Sequence, residues 1–336
     1  MIRLTWLQFR MQAAAAAAAL AVIAVVLALT GPHLAHLYDV SGITVCQAHA
    51  DCASLSSRFL NQASAAFTDN FLLGFGNVVV AAPALVGIFW GAPLIARELE
   101  TGTYRLTWTQ AVTRTRWLIV KLGIVGVAGV AAVGLLSLML TWWFRPIDLV
   151  NMNRLTPAVF GERGVVPAAY AAFAFALGVT AGVVLRRTLP AMAVALAGFA
   201  ATRLAITYWV RPHLITPVQA TGKVVESLPS GGALRLWPAA GPHGPAGTPV
   251  TIPGSAWVYS IQQVDAAGHV VHPVLRAACH RSQAAIDACT AGYHRVVSYQ
   301  PSTRFWAFQW RETAVFLALA LILAGLTFWW LRRRLS

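Results

Sequence analysis

The chain has 336 residues, of which 58% are hydrophobic and only 11% charged, with 13 tryptophans. That balance excludes an ordinary soluble domain, and several apolar runs of roughly 20 residues mark an integral membrane protein. A net charge of +14 would point to nucleic acid in a soluble chain; here the positive-inside rule accounts for it with no nucleic-acid partner.

Residues 1–12, MIRLTWLQFRMQ, place Leu4, Leu7 and Met11 on one helical face and Arg3, Trp6 and Arg10 on another. This is the pattern of an amphipathic helix lying among the headgroups. The apolar run after it is longer than a usual signal-peptide core and has no close small-x-small cleavage site, so an uncleaved anchor is expected. Six spans are predicted, at 13–31, 71–95, 122–144, 167–185, 188–210 and 312–331. They leave outer loops 32–70 and 145–166, an outer segment 211–307, and inner segments 1–12, 96–121, 186–187 and 332–336. The inner segments hold twelve basic residues against two acidic ones, Glu98 and Glu100. Both termini are therefore expected in the cytoplasm, with the protein in the cell membrane.

Gly87 and Gly91 in the second span, and Gly178 and Gly182 in the fourth, are small-xxx-small pairs that allow close helix approach. The third span ends in Trp142-Trp143-Phe144 before Arg145-Pro146, an interfacial aromatic belt. Spans four and five form a hairpin around Arg186-Arg187. Arg203 is the one charge placed in the interior of a span. Snorkelling or a structural hydrogen bond is the expected role, with a place in the substrate pathway as the alternative.

The outer segment 211–307 is too long for a connector. Its stretch WPAAGPHGPAGTPVTIPG is expected to be irregular. Trp257–Val264 and Val270–Val274 are predicted as a hairpin, Ala277–Ala288 as a short helix and Tyr293–Tyr299 as a strand. Cys46, Cys52, Cys279 and Cys289 all fall outside the membrane; of three connectivities, the local pairs Cys46–Cys52 and Cys279–Cys289 are favoured. His33 and His36, and His269 and His272, share i,i+3 spacing, but two histidines alone are a weak signal and no metal site is expected. The expected fold is an all-α polytopic membrane protein. It has six transmembrane helices, an amphipathic N-terminal helix and a small α+β extracellular cap between helices five and six.

There is no Gly-x-x-x-x-Gly-Lys-Ser/Thr loop, no Gly-x-Ser-x-Gly elbow and no His-Glu-x-x-His helix, so catalysis by this chain is not expected. The functional argument falls on Ala96–Leu122, which concentrates two acids, five basic residues and two tryptophans between two spans. Thr101-Gly102-Thr103 should break the helix leaving the second span. Trp108, Arg114, Trp117 and Lys121 then bring aromatic and cationic groups to the inner interface. A basic loop with Trp anchors explains the Arg and Trp, but not two glutamates beside a Gly-Thr break.

At these residues the chain resembles a family. Glu98-Leu-Glu100-Thr-Gly102-Thr103, then Trp108-Thr-Gln110, Arg114, Trp117 and Lys121, is similar to the cytoplasmic signature of type-two permease subunits of ATP-binding-cassette exporters. The stretch from Tyr299 to Glu312 looks like an actinobacterial subgroup. The resemblance implies that 98–117 is a coupling helix docking on a separate ATPase, with Glu98, Glu100 and Arg114 making charge-assisted contacts. It implies two permeases, as a homodimer or with a homologous partner, and two ATPases binding ATP and Mg. It also implies export of an amphiphilic or hydrophobic substrate. The insert of nearly a hundred residues between spans five and six departs from many members. A non-transporting receptor or scaffold, binding through its outer cap, is the alternative; a metal-dependent membrane enzyme is a weaker one.

Overall fold

The computed structural model describes residues 2–43, 53–102, 114–151, 154–227, 234–237, 250–252, 256–265, 267–270 and 294–334. Among them six helices are long and apolar enough to cross a membrane: Phe9–Val40, Gly74–Thr101, Arg116–Trp143, Val166–Leu185, Thr188–His213 and Ser302–Arg333. Each overlaps one predicted span. No aqueous partner exists for backbone groups inside a bilayer, so continuous helices are what such runs form.

Helix α1, Ile2–Val40, runs without a break from residue 2 through the first span and contains Pro32. Helix α2, Ala53–Leu85, fills much of what the sequence suggested was outer loop. Phe59, Ala63 and Phe67 recur at four-residue spacing. They are buried with Leu27, Leu34, Val79, Leu140 and Trp143, so a packed stripe extends both helices beyond the spans.

Helix α2 passes through a π-helical turn, Val86–Gly91, into α3, Ala92–Thr101. After α4, Arg114–Trp143, come the short α5, Arg145–Asn151, and α6, Pro157–Phe160. Helix α7, Val166–Leu185, is the most buried span and packs against α2, the π turn, α3, α4 and both later spans. Helix α8, Thr188–Ala205, ends in a second π turn, Ile206–Val210, and a 3-10 turn, Arg211–His213. Helix α9 is Phe305–Arg334.

The two glycine pairs meet each other. A Cβ on Gly178 would stand 2.2 Å from the Gly87 carbonyl oxygen. On Gly91 it would stand 2.6 Å from the Phe175 oxygen, and on Gly182 2.6 Å from the Ala92 oxygen. Only glycine permits this backbone approach, which supplies the dispersion contact that holds helices together in lipid.

Between α8 and α9 lies an antiparallel five-stranded sheet: β1 Val218–Ser227, β2 Leu234–Trp237, β3 Val250–Ile252, β4 Trp257–Val264 and β5 His294–Gln300, in the order β3-β2-β1-β5-β4. The predicted strands near 257–264 and 293–299 are β4 and β5. A bridge between Val264 and Val270 turns the chain where a hairpin was expected. Trp257 carries the sheet onto the membrane bundle, packing with Phe305, Phe308 and Phe160. The cysteines, residues 238–249 of the irregular stretch and the predicted helix 277–288 lie outside the described residues.

Candidate functional site

Helix α3 ends on Gly102 at φ 74°, the left-handed conformation that glycine adopts without a Cβ penalty. Glu98 and Glu100 are two residues apart, about 200° around the helix, and so address different neighbours. Lys121 Nζ donates to Glu98 Oε1. That lysine is buried, and its ammonium lies 5.0 Å from the centre of the buried Trp117 ring. Glu100 Oε2 accepts the Thr188 amide at 3.1 Å and the Thr188 hydroxyl at 2.7 Å. A carboxylate there satisfies an orphan N–H at the start of α8 and meets the positive end of its dipole. The connecting turn is tight enough to hold Arg186 at φ 54°.

The base of the predicted coupling region therefore grips two spans at once, α4 through Lys121 and α8 through Thr188. Thr103, Trp108 and the Arg114 side chain lie outside the described residues. Arg114 begins α4.

The far end of the bundle holds polar groups that sequence reasoning missed. Arg211 Nε and Nη2 donate to the two Glu312 oxygens at 2.7 and 2.9 Å, and the Tyr170 hydroxyl donates to Glu312 Oε1 at 2.5 Å. Arg211 is 1% exposed and Glu312 0%, and the guanidinium lies 4.3 Å from the Phe160 ring centre. Opposite charges one residue past predicted span five and at the first residue of predicted span six were the available signal, obscured because both spans were drawn too short at that end. Gln309 is a second clasp. Its Oε1 accepts the amides of Val165 and Val166 at 3.0 Å each, at the start of α7. Its Nε2 donates to the carbonyls of Phe160 and Arg163. Arg203 donates to the Val80 carbonyl at 3.2 Å and lies 5.2 Å from the Tyr170 ring centre.

Arg163, in the loop before α7, lies within 3.5 Å of both Asp148 and Glu162 and stacks 3.7 Å from the Phe144 ring centre. Burial pushes both carboxyls above their ordinary range, and the guanidinium opposes this. Among the described residues no group of three or more His, Cys, Asp or Glu side chains is placed to hold a metal.

Nothing among the curated proteins or the solved structures matches the chain. A family model described as "ABC-2 membrane transporter related" matches residues 17–211, more than half of the sequence and five of the six spans. Membership implies association with an ABC ATPase. The six apolar helices and this match agree: the chain belongs to the ABC-2 membrane transporter-related family, as an ABC-2-type permease.

Proposed function

We propose that the chain is the membrane-spanning subunit of an ABC exporter, coupled through 96–121 to a separate ATPase. The observation that supports this best is the double grip of Glu98 on Lys121 and Glu100 on Thr188, on either side of one helix and just before a Gly102 break. A push on the segment beyond Gly102 is then shared between spans three and five. Glu98 and Glu100 brace the segment from within the chain, and we assign Trp108 and Arg114 to the contact with the ATPase. Two permeases, this chain with itself or with a homologue, and two ATPases form the transporter, and ATP and Mg belong to the ATPase. Basic residues put both termini and the coupling segment in the cytoplasm of a plasma-membrane protein. The sheet between spans five and six then stands outside, where the favoured pairs Cys46–Cys52 and Cys279–Cys289 can oxidise. The substrate is amphiphilic or hydrophobic.

The test is ATP hydrolysis by the reconstituted permease–ATPase complex. Glu100→Lys removes the Thr188 contact, and Gly102→Pro cannot take a positive φ. Both variants are expected to insert normally and lose substrate-stimulated hydrolysis and transport. Normal transport by both would refute the coupling role. Capture of partners by residues 211–307, with no ATPase in the complex, would favour the receptor reading.

A further inference from the structure

A cavity of about 530 Å³ opens beside the Glu98–Lys121 pair, between the first, second and third spans. This is within the roughly 300–1,000 Å³ usual for small-molecule sites. One wall is apolar, built by Phe9, Phe89, Trp90 and Leu94. Phe9 and Trp90 meet edge to face at 4.8 Å, which fixes that wall. The mouth carries Arg97 and Lys121 with Glu98. Lys121 is committed to Glu98. Arg97 is exposed, and no carboxylate pairs with it among the described residues. The mouth therefore presents one uncompensated cation beside an aromatic slot. From Phe89 to Arg97 the helix rises about 12 Å, so the change from apolar to cationic runs along the second span toward its inner end. A bilayer molecule that places an acyl chain beside a phosphate has that profile. A soluble anion has no use for the apolar wall.

We propose that this cavity binds one anionic glycerophospholipid, with an acyl chain along Phe9, Phe89 and Trp90 and the headgroup phosphate on Arg97. The site stands on the cavity and its charge, independently of ATPase coupling. An acidic lipid held there would pack against the pair that anchors the segment beyond Gly102.

The experiment is native mass spectrometry of the detergent-solubilised full chain, titrated separately with phosphatidylglycerol, phosphatidylcholine and inorganic phosphate. One phosphatidylglycerol is expected to be retained about fivefold more tightly than phosphatidylcholine, the order of one basic contact at a membrane surface. Arg97→Ala should erase that preference, and Leu94→Trp, which fills the cavity, should weaken both lipids together. Retention of the preference by both variants overturns the proposal, and so does phosphate binding as tightly as the lipid, since the ligand is then a free anion. Phosphatidylglycerol carrying a photoreactive acyl chain supplies a readout on the unaltered protein. Labelling concentrated in residues 89–101 supports the site, and labelling spread evenly over the bundle refutes it.

Discussion

At the residue scale the Arg211–Glu312 pair dominates, because neither charge has water to fall back on. The bidentate geometry and the Tyr170 hydroxyl offset a desolvation cost that would otherwise exclude both groups. Arg211→Ala should lower stability by about 3–5 kcal/mol, because it strands a buried carboxylate. Combining Arg211→Met with Glu312→Leu should recover most of that loss, as thermal unfolding in detergent would show. A double variant as unstable as the single one would mean that the site depends on something other than charge pairing. Residue types alone did not reveal this pair, since an Arg and a Glu some hundred positions apart each read as an ordinary charge at a span boundary. Glu98 was easier to see, because an acid beside Gly-Thr in a basic loop is out of place. Its partner Lys121 was also singled out, but as an interfacial cation. Their pairing depends on how α3 and α4 cross, and no local pattern reports that.

At the element scale, α7 and the second span are held together by what they lack. Gly178→Ala would put a methyl group within 2.2 Å of a backbone oxygen, so even the smallest substitution must push the helices apart. Gly123→Ala, with nothing within 4 Å of the new atom, should be neutral or gain up to about 1 kcal/mol from helix propensity. Comparing the two melting temperatures separates packing from propensity, and equal shifts would count against the close approach. The small-xxx-small spacing announced these contacts, because two glycines four apart make a groove whatever partner fills it. The sheet was half legible: β4 and β5 alternate clearly, whereas β1 depends on pairing with a strand between seventy and just over eighty residues later. The turn after β4 has its own pH dependence. The amides of His269 and Ala267 hold the Asp265 carboxyl below its ordinary value. The turn therefore gains stability above the unfolded carboxylate range and loses it as pH falls through the lowered value. Amide exchange at His269 should accelerate there, and a flat profile would contradict the assignment.

At the scale of the whole molecule, the spans are unequal. Helix α7 is surrounded by its neighbours, while the first span is buried over only 6% of its most apolar window. Opening free energy follows burial. Hydrogen exchange in detergent should therefore be slowest in Val166–Leu185 and fastest among the spans in Phe9–Val40. The reverse order would mean that the bundle is organised around another helix. Span number and the positions of the spans were legible because hydrophobic length is a one-dimensional property. The central place of α7 was not, since its neighbours are chosen by Gly178, Gly182, Tyr170 and Gln309 in three dimensions.

The π turn at Val86–Gly91 sets the angular phase of everything beyond it. Removing one residue from that turn would rotate α3 by about 100° and draw it back by about 1.5 Å. Glu98 would then swing away from Lys121, and Glu100 from Thr188, with neither acid altered. The aim of the two carboxylates is thus written two to three turns upstream, in a helix wound one residue too wide.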